Sequence, residues 1–365
     1  MSKITSIATS LPPYKHNQAS HFNFADAVYN KDSTDTRKLK FLYKQSAIEH
    51  RYSVIPDFSF DNVADRTFFS KSADLEPFAG IEQRMALYDK TAAQLAVEAI
   101  AACIENKLDA QQITHLITVS CTGMSAPGLD LQIMEMMGLP VNINRTSVNF
   151  MGCYAAIHGL KLADAFCNGN SNANVIVVCA ELCTIHFQKE YSVDNITASL
   201  LFGDGCGAML IQNNNKTAGI CLDHFYSEVS FKGKKEMAWQ ISSKGFLMTL
   251  TGYVPELIKE DFENLVINAL SSGKKQLKDV SHWCIHPGGK KILDAITQCL
   301  QLKNDALAHS YSVLRDFGNM SSASIVFVLK KMMEDFAEGP NTDNCIFAAA
   351  FGPGLTMETF TAHYA

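Results

Sequence analysis

Thr114-His-Leu-Ile-Thr-Val-Ser-Cys-Thr-Gly123 and Ser281-His-Trp-Cys-Ile-His-Pro-Gly-Gly289 are the two stretches on which the reading of the fold turns. Each is a short apolar run ending in a glycine turn, the pattern of a buried strand that feeds a loop. They lie 167 residues apart, counted from His115 to His282. Ser147-Val-Asn-Phe-Met-Gly-Cys153 and Ser312-Val-Leu-Arg-Asp-Phe-Gly-Asn319 repeat the spacing, with 166 residues from Cys153 to Asn319. The apolar strands that follow begin at Val175 and Cys345, an offset of 170. Three features at nearly one offset predict an internal duplication of a βαβ-type unit. Two such halves packed back to back would bring the Gly152-Cys153 and Gly318-Asn319 loops to one centre.

Outward from these stretches, strands alternate with helices. The spacing predicts a helix from Glu82, strands at 114–119 and 146–150, and helices at 129–137 and 154–166. Further strands fall at 175–180 and 208–212. The second half continues with a strand at 282–285, a helix at 290–299, and a segment at 310–314 that enters the Gly318-Asn319 loop. A helix at 321–336 and an apolar strand at 345–350 end the pattern. The fold class is α/β. The expected halves are residues 1–225 and 226–365. Residues 1–85 carry few strong signals and read as peripheral.

The chain has 365 residues, 47% hydrophobic and 19% charged, with a formal net charge of -6. That is enough to bury a large core. No basic block points to nucleic acid, and no run approaches the roughly 18 apolar residues of a membrane span. The opening residues lack the pattern of a secretory signal. The eleven cysteines form no CxxC pairs, so zinc is not expected and reduced cytoplasmic thiols are.

Cys153 follows a predicted strand and precedes a predicted helix. A thiol there meets unpaired backbone N–H groups, which favour the thiolate and make it a better nucleophile. Taken alone, it also reads as a buried small hydrophobe. His286 ends a strand on the Pro287-Gly288-Gly289 turn and could project into a cleft, or sit satisfied in the core. Asn319 could be a turn residue or a cap. The three together fit decarboxylative condensation: a thiolate to hold an acyl group, and two donors for the enolate formed when carbon dioxide leaves a malonyl thioester.

At these residues the chain resembles the chalcone synthase-like family, the type III polyketide synthases. The motifs are Met151-Gly-Cys-Tyr-Ala155, Leu201-Phe-Gly-Asp-Gly205, Ile285-His-Pro-Gly-Gly289, Phe317-Gly-Asn-Met-Ser-Ser-Ala323 and Phe351-Gly-Pro-Gly-Leu-Thr-Met-Glu-Thr359. The resemblance implies a thiolase-like fold of two duplicated α/β halves in αβαβα layers, the first carrying the nucleophile and the second the His and Asn. It implies a homodimer that takes malonyl-CoA and an acyl-CoA starter without cofactor, metal or carrier protein. The product would be an aromatic or pyrone polyketide. It puts the catalytic set at Cys153, His286 and Asn319, and a gatekeeping phenylalanine at Phe202. Gly352 and Pro353 would shape the cyclisation cavity. Lys291 would meet the CoA phosphates, with Lys44 and Arg51 as weaker candidates.

Where plant members carry threonines, this chain has Cys121, Cys183 and His186, and Ser120-Cys-Thr-Gly123 is similar to bacterial members such as the tetrahydroxynaphthalene synthases. Trp239, by its spacing from Val254-Pro255, falls near a site that lines the cavity in the family, or is a plain core tryptophan, and Met248 is a further candidate for substrate contact. The competing readings are an initiating β-ketoacyl synthase of fatty-acid synthesis and a catalytically silent acyl-CoA-binding protein.

Overall fold

The computed structural model describes residues 1–214, 217–303, 305–338 and 344–365. Strands β1 (Lys3–Ser10) and β2 (Tyr14–Asn17) lead into helices α1 (Gln18–Tyr29) and α2 (Ser33–Gln45), and β3 (His50–Ser53) follows. Next come α3 (Ile81–Ile104), β4 (His115–Ser120), α4 (Leu129–Met137), β5 (Asn144–Asn149), α5 (Ala155–Gly169), β6 (Asn174–Leu182), α6 (Val193–Leu201) and β7 (Asp204–Gln212). The chain continues through β8 (Ile220–Val229), the hairpin β9 (Met237–Ser242) and β10 (Gly245–Leu250), and α7 (Val254–Ser272). It ends with β11 (His282–Ile285), α8 (Lys290–Cys299), α9 (Ala308–Phe317), α10 (Ala323–Glu338), β12 (Ile346–Gly352) and β13 (Thr356–Tyr364).

Local chemistry accounts for many boundaries. Asn17 caps α1 by accepting from Ser20 N–H, and Asp32 caps α2 by accepting from Thr34 and Asp35 N–H. Gly138, at φ +60°, stops α4 in the left-handed conformation. The apolar run of β6 is buried along almost its whole length.

Nine strands form one sheet in the order β11-β12-β13-β8-β1-β7-β6-β4-β5. The order reads nearly the same from its middle outward. β8-β13-β12-β11 on one side answers β1-β7-β6-β4 on the other. The pairing senses agree as well: β4 with β6 and β11 with β12 are parallel, while β6 with β7 and β12 with β13 are antiparallel. The two halves are therefore duplicates, joined where β1 and β8 pair through Lys3, Ile4, Ile220 and Cys221.

Helix α3 packs on β1, β6 and β7, and α7 packs on β8 and β13. Between the halves lie α5 and α10. Helix α5 touches β4 to β7 and also β13, and α10 touches β11 as well as β1, β6 and β7. The layers run αβαβα. The central layer is an apolar cluster that includes Ile117, Leu160, Val177, Met209, Val326 and Phe360. Burying each large side chain of this kind stabilises the fold by about 1.5–3 kcal/mol. Among the described residues, no helix is long and apolar enough to cross a membrane.

One expectation is corrected. The opening residues are not peripheral, since β1 is the middle strand of the sheet. Its Thr5 and Ser6 hide it from a hydrophobic reading, but both are satisfied inside. Thr5 Oγ1 donates to Gln212 Oε1 (2.9 Å), and Ser6 Oγ accepts from Lys107 Nζ (2.7 Å). The segment at 310–314, which enters the Gly318-Asn319 loop, is part of α9, because Ser310, Val313 and Leu314 bury one helical face.

Candidate active site

Between β5 and α5 the chain turns through Phe150 and Gly152, at φ +60° and +92°. A Cβ on Gly152 would lie 2.2 Å from Pro353 Cδ, so the turn requires glycine both for its dihedral and for its packing. Cys153 comes next, just ahead of α5, and is 9% exposed. Gly152 N–H donates to Cys121 Sγ (3.0 Å), which ties the turn to the end of β4.

His286 follows β11 and is held by its backbone, whose N–H donates to Ala349 O (2.9 Å). Its ring is buried and neither nitrogen has a hydrogen-bond partner. Burial drives its pKa down to about 3, so the ring is neutral. Asn319 forms an isolated bridge with Phe202. Its Nδ2 donates to Gly288 O (3.2 Å), two residues beyond His286, and its Oδ1 accepts from Ser321 N–H (2.9 Å). The turn-residue reading of Asn319 is thus realised in its oxygen, while its amide faces the histidine turn.

Burial pushes the Cys153 thiol up to about 12, although Ser321 and Asn319, beside the sulfur, pull it back. Burial thus opposes the lowering expected from the helix terminus. Helix-terminus stabilisation of about 0.3–1 kcal/mol corresponds to about 0.2–0.7 pKa unit, whereas full burial can move a group by several.

Cys153 opens on a cavity of about 30 Å³ that is also lined by Cys121, Cys183, Phe202, Trp239, Met248 and Pro353. Trp239 Nε1 donates to Cys121 O (2.7 Å). Gly352 packs on the Tyr154 ring, where a Cβ would come within 2.5 Å. His186 stands one layer back, on an adjoining cavity of about 40 Å³. Its Nε2 pairs with Thr122 O (2.8 Å), its Nδ1 accepts from Phe246 N–H (3.1 Å), and its ring stacks on Phe246. Both nitrogens are engaged within the protein, so His186 belongs to the cavity wall by its ring.

Lys291 lies on the exposed rim of a third cavity of about 280 Å³, whose walls include Leu42, Ile196, Leu200, Val254, Gly288 and Gly289. Lys44 is exposed on α2 but is not part of that wall. Arg51 is 1% exposed and donates from Nη1 to Ser199 O and Phe202 O, so it cannot reach phosphates at a solvent-exposed mouth. That assignment is corrected.

Glu181 was missed, although a carboxylate ending the apolar run of β6 was a visible signal. It is fully buried and accepts from Cys121 N–H (2.9 Å), Thr122 Oγ1 (2.8 Å) and Ser322 Oγ (2.5 Å). Burial raises its pKa. It joins the end of β4, the end of β6 and the start of α10 around the cysteine.

Two family profiles match the chain: chalcone and stilbene synthases, N-terminal domain, over residues 2–215, and the C-terminal domain of the same enzymes over residues 226–364. The chain belongs to this family. It is a type III polyketide synthase, an enzyme that transfers acyl groups and condenses malonyl units, using malonyl-CoA and acyl-CoA substrates. The initiating β-ketoacyl synthase reading gives way to it. Among relatives of this polyketide synthase is an alpha-pyrone synthesis polyketide synthase-like protein of Mycobacterium tuberculosis, 32% identical over 77% of this chain and 72% of the relative. A 1,3,6,8-tetrahydroxynaphthalene synthase of Streptomyces peucetius is 25% identical over 97% of this chain and 91% of the relative. The crystal structure of a polyketide synthase from the brown alga Ectocarpus siliculosus superposes with a TM-score of 0.93 at 25% identity, covering all of this chain and 98% of the other.

Proposed function

We propose that Cys153 carries the growing chain and that His286 and Asn319 drive decarboxylation. The Cys153 thiolate attacks the starter thioester, forming an acyl-cysteine and releasing CoA. Malonyl-CoA then loses carbon dioxide, and the electron pair left behind is held as an enolate by hydrogen bonds from Asn319 and neutral His286. The enolate carbon attacks the acyl-cysteine carbonyl, a carbon–carbon bond forms, and Sγ leaves. The lengthened chain, now on CoA, returns to Cys153. The observation that carries this reading is the meeting of the Cys153 sulfur, the Asn319 amide and the turn of a neutral His286 in one buried place.

The first half, residues 1–225, would supply the nucleophile and the second, 226–365, the two donors. Phe202, Met248 and Trp239 narrow the space beside Cys153. Cys121, Cys183, Gly352 and Pro353 complete the wall, and Lys291 meets the CoA phosphates at the mouth. Cyclisation of the chain held there would give an aromatic or pyrone product. The working enzyme would be a cytoplasmic homodimer that needs neither cofactor nor carrier protein.

Cys153→Ala and Asn319→Ala test the assignment. The first should still release carbon dioxide from malonyl-CoA, without chain growth. The second should lose decarboxylation by about 10²-fold or more, as for removal of an oxyanion donor. Undiminished carbon dioxide release from Asn319→Ala would leave Asn319 as a turn residue only.

A further inference from the structure

The segments that carry Phe202 and Asn319 meet outside regular secondary structure. Asn319 N–H donates to Leu201 O (2.9 Å), and Gly203 N–H donates to Asn319 O (3.0 Å). These two hydrogen bonds are the isolated bridge between Phe202 and Asn319. Glycines flank it: Gly203 on one side, and Gly318, at φ +70°, on the other. A pair of hydrogen bonds between loops is a weak tie, since each contributes only about 0.5–1.5 kcal/mol net.

Arg51 lies against both strands of this tie. A Cβ on Gly318 would fall 2.9 Å from its Cγ and Cδ, and one on Gly203 would fall 3.4 Å from its Cβ. The stem of Arg51 packs against both glycines, together with Leu201 O, 2.8 Å from the Gly318 Cβ position, and Phe317 O, 2.6 Å from that of Gly203. Its Nη1 donates to Phe202 O and Ser199 O, both at 2.7 Å. The side chain is 1% exposed. Bonds from a charged donor are about twice as strong as neutral ones, so Arg51 fixes the Phe202 side of the bridge by hydrogen bonds and meets the Asn319 side by packing at Gly318.

Cys153 is held by other means. Its turn hangs on Cys121 Sγ through Gly152 N–H, on Pro353 by close packing, and on the Glu181 network. None of these contacts involves Arg51. The Cys153 turn and the Phe202–Asn319 bridge thus have different anchors, although Asn319 and Ser321 stand beside the Cys153 sulfur and Phe202 lines its cavity.

We infer that Arg51 is a positioning residue for decarboxylation, holding the Asn319 amide in place through the Phe202–Asn319 bridge while leaving acyl loading of Cys153 to other contacts. The inference rests on the proposed role of Asn319. If the bridge loosens, the amide drifts from the developing oxyanion, and a misplacement of about 1 Å can lower the rate about 10²-fold.

The full chain carrying Arg51→Met or Arg51→Lys tests this, with wild type and Asn319→Ala as controls. Two rates are read on each sample: carbon dioxide release from malonyl-CoA, and acylation of Cys153 by acetyl-CoA, followed as the mass gain of the intact protein. Arg51→Met should lower kcat for carbon dioxide release by about tenfold or more. Its KM for malonyl-CoA and its acylation rate should stay within about twofold of wild type. Arg51→Lys keeps the charge and most of the stem, and should recover part of the loss. If Arg51→Met does not fold, Arg51→Lys carries the test, with a smaller loss confined to carbon dioxide release. Parallel loss of both rates would make Arg51 a general structural residue, and unchanged carbon dioxide release in a folded variant would remove it from the reaction. Carbon dioxide release that survives in Asn319→Ala would overturn the role of Asn319 itself, a different failure from one confined to Arg51.

Discussion

Cys153 shows two opposing effects at one atom. Its place ahead of α5 favours the thiolate, but burial outweighs that and holds the thiol up to about 12. His286, with both ring nitrogens unpartnered, supplies no ion pair at rest. The resting enzyme therefore holds its nucleophile as a thiol, and the thiolate fraction should rise about tenfold per pH unit through the neutral range. Alkylation of Cys153 by iodoacetamide, followed by peptide mapping between pH 7 and 9, should climb with that slope. A rate that levels off near pH 7 would mean that a thiolate–imidazolium pair forms in solution. The neutrality of His286 has the opposite value for the later step, because a neutral imidazole can still donate to an oxyanion.

The β9–β10 hairpin is the element that sets the size of the chamber. Trp239 and Met248 are cross-strand partners, and both face the cavity of Cys153. The hairpin is pinned from outside: Trp239 Nε1 bonds to Cys121 O, and Phe246 N–H bonds to His186. The indole edge also meets the His186 and Phe246 rings. Trp239→Gly should remove the largest filler and lengthen the products or admit bulkier starters, with carbon dioxide release near wild type. A fully buried Trp truncation costs about 3–5 kcal/mol. Trp239 is only half-buried, so the loss should fall below that and the variant should fold. Melting temperature and product masses measured on one sample check both points. A folded variant with unchanged products would take Trp239 out of length control.

Across the whole molecule, burial lowers the pKa of five buried histidines, His16, His21, His115, His186 and His286. Burial lowers His186 and His286 to about 3 and His21 well below its ordinary value. The unfolded chain protonates these rings near pH 6.5, and the folded chain does not. Stability is therefore full above that pH and is lost as pH falls from about 6.5 toward 3, by up to about 1.4 kcal/mol per unit for each ring. Asp204, raised to about 6 by burial, and Glu181, also raised, offset part of this at lower pH, since the folded chain keeps their protons. Urea denaturation between pH 7 and 5 should show falling stability, with a flatter profile in His186→Gln. An unchanged slope in that variant would show that His186 is not held neutral.

The α/β class, the duplication and most inner strands were legible in the sequence, because apolar runs such as that of β6 and glycine turns such as Gly288-Gly289 are local signals. Helices 129–137 and 290–299 could be placed to the residue, since their glycine and turn boundaries are local too. Strand β1 was not legible: its Thr5 and Ser6 look like surface residues until Gln212 and Lys107, each about a hundred residues or more away, are brought to them. Nor was α9, whose short apolar face fits a strand as well as a helix until packing decides. The turns that carry Cys153, His286 and Asn319 stood out by their residues and spacing. What those groups are chemically did not, because burial, and with it pKa, belongs to neighbours gathered from the whole chain. Arg51 and Glu181 make the same point. By themselves they are ordinary charges, and the tertiary structure makes one a clamp on the Phe202–Asn319 bridge and the other a junction beneath Cys153.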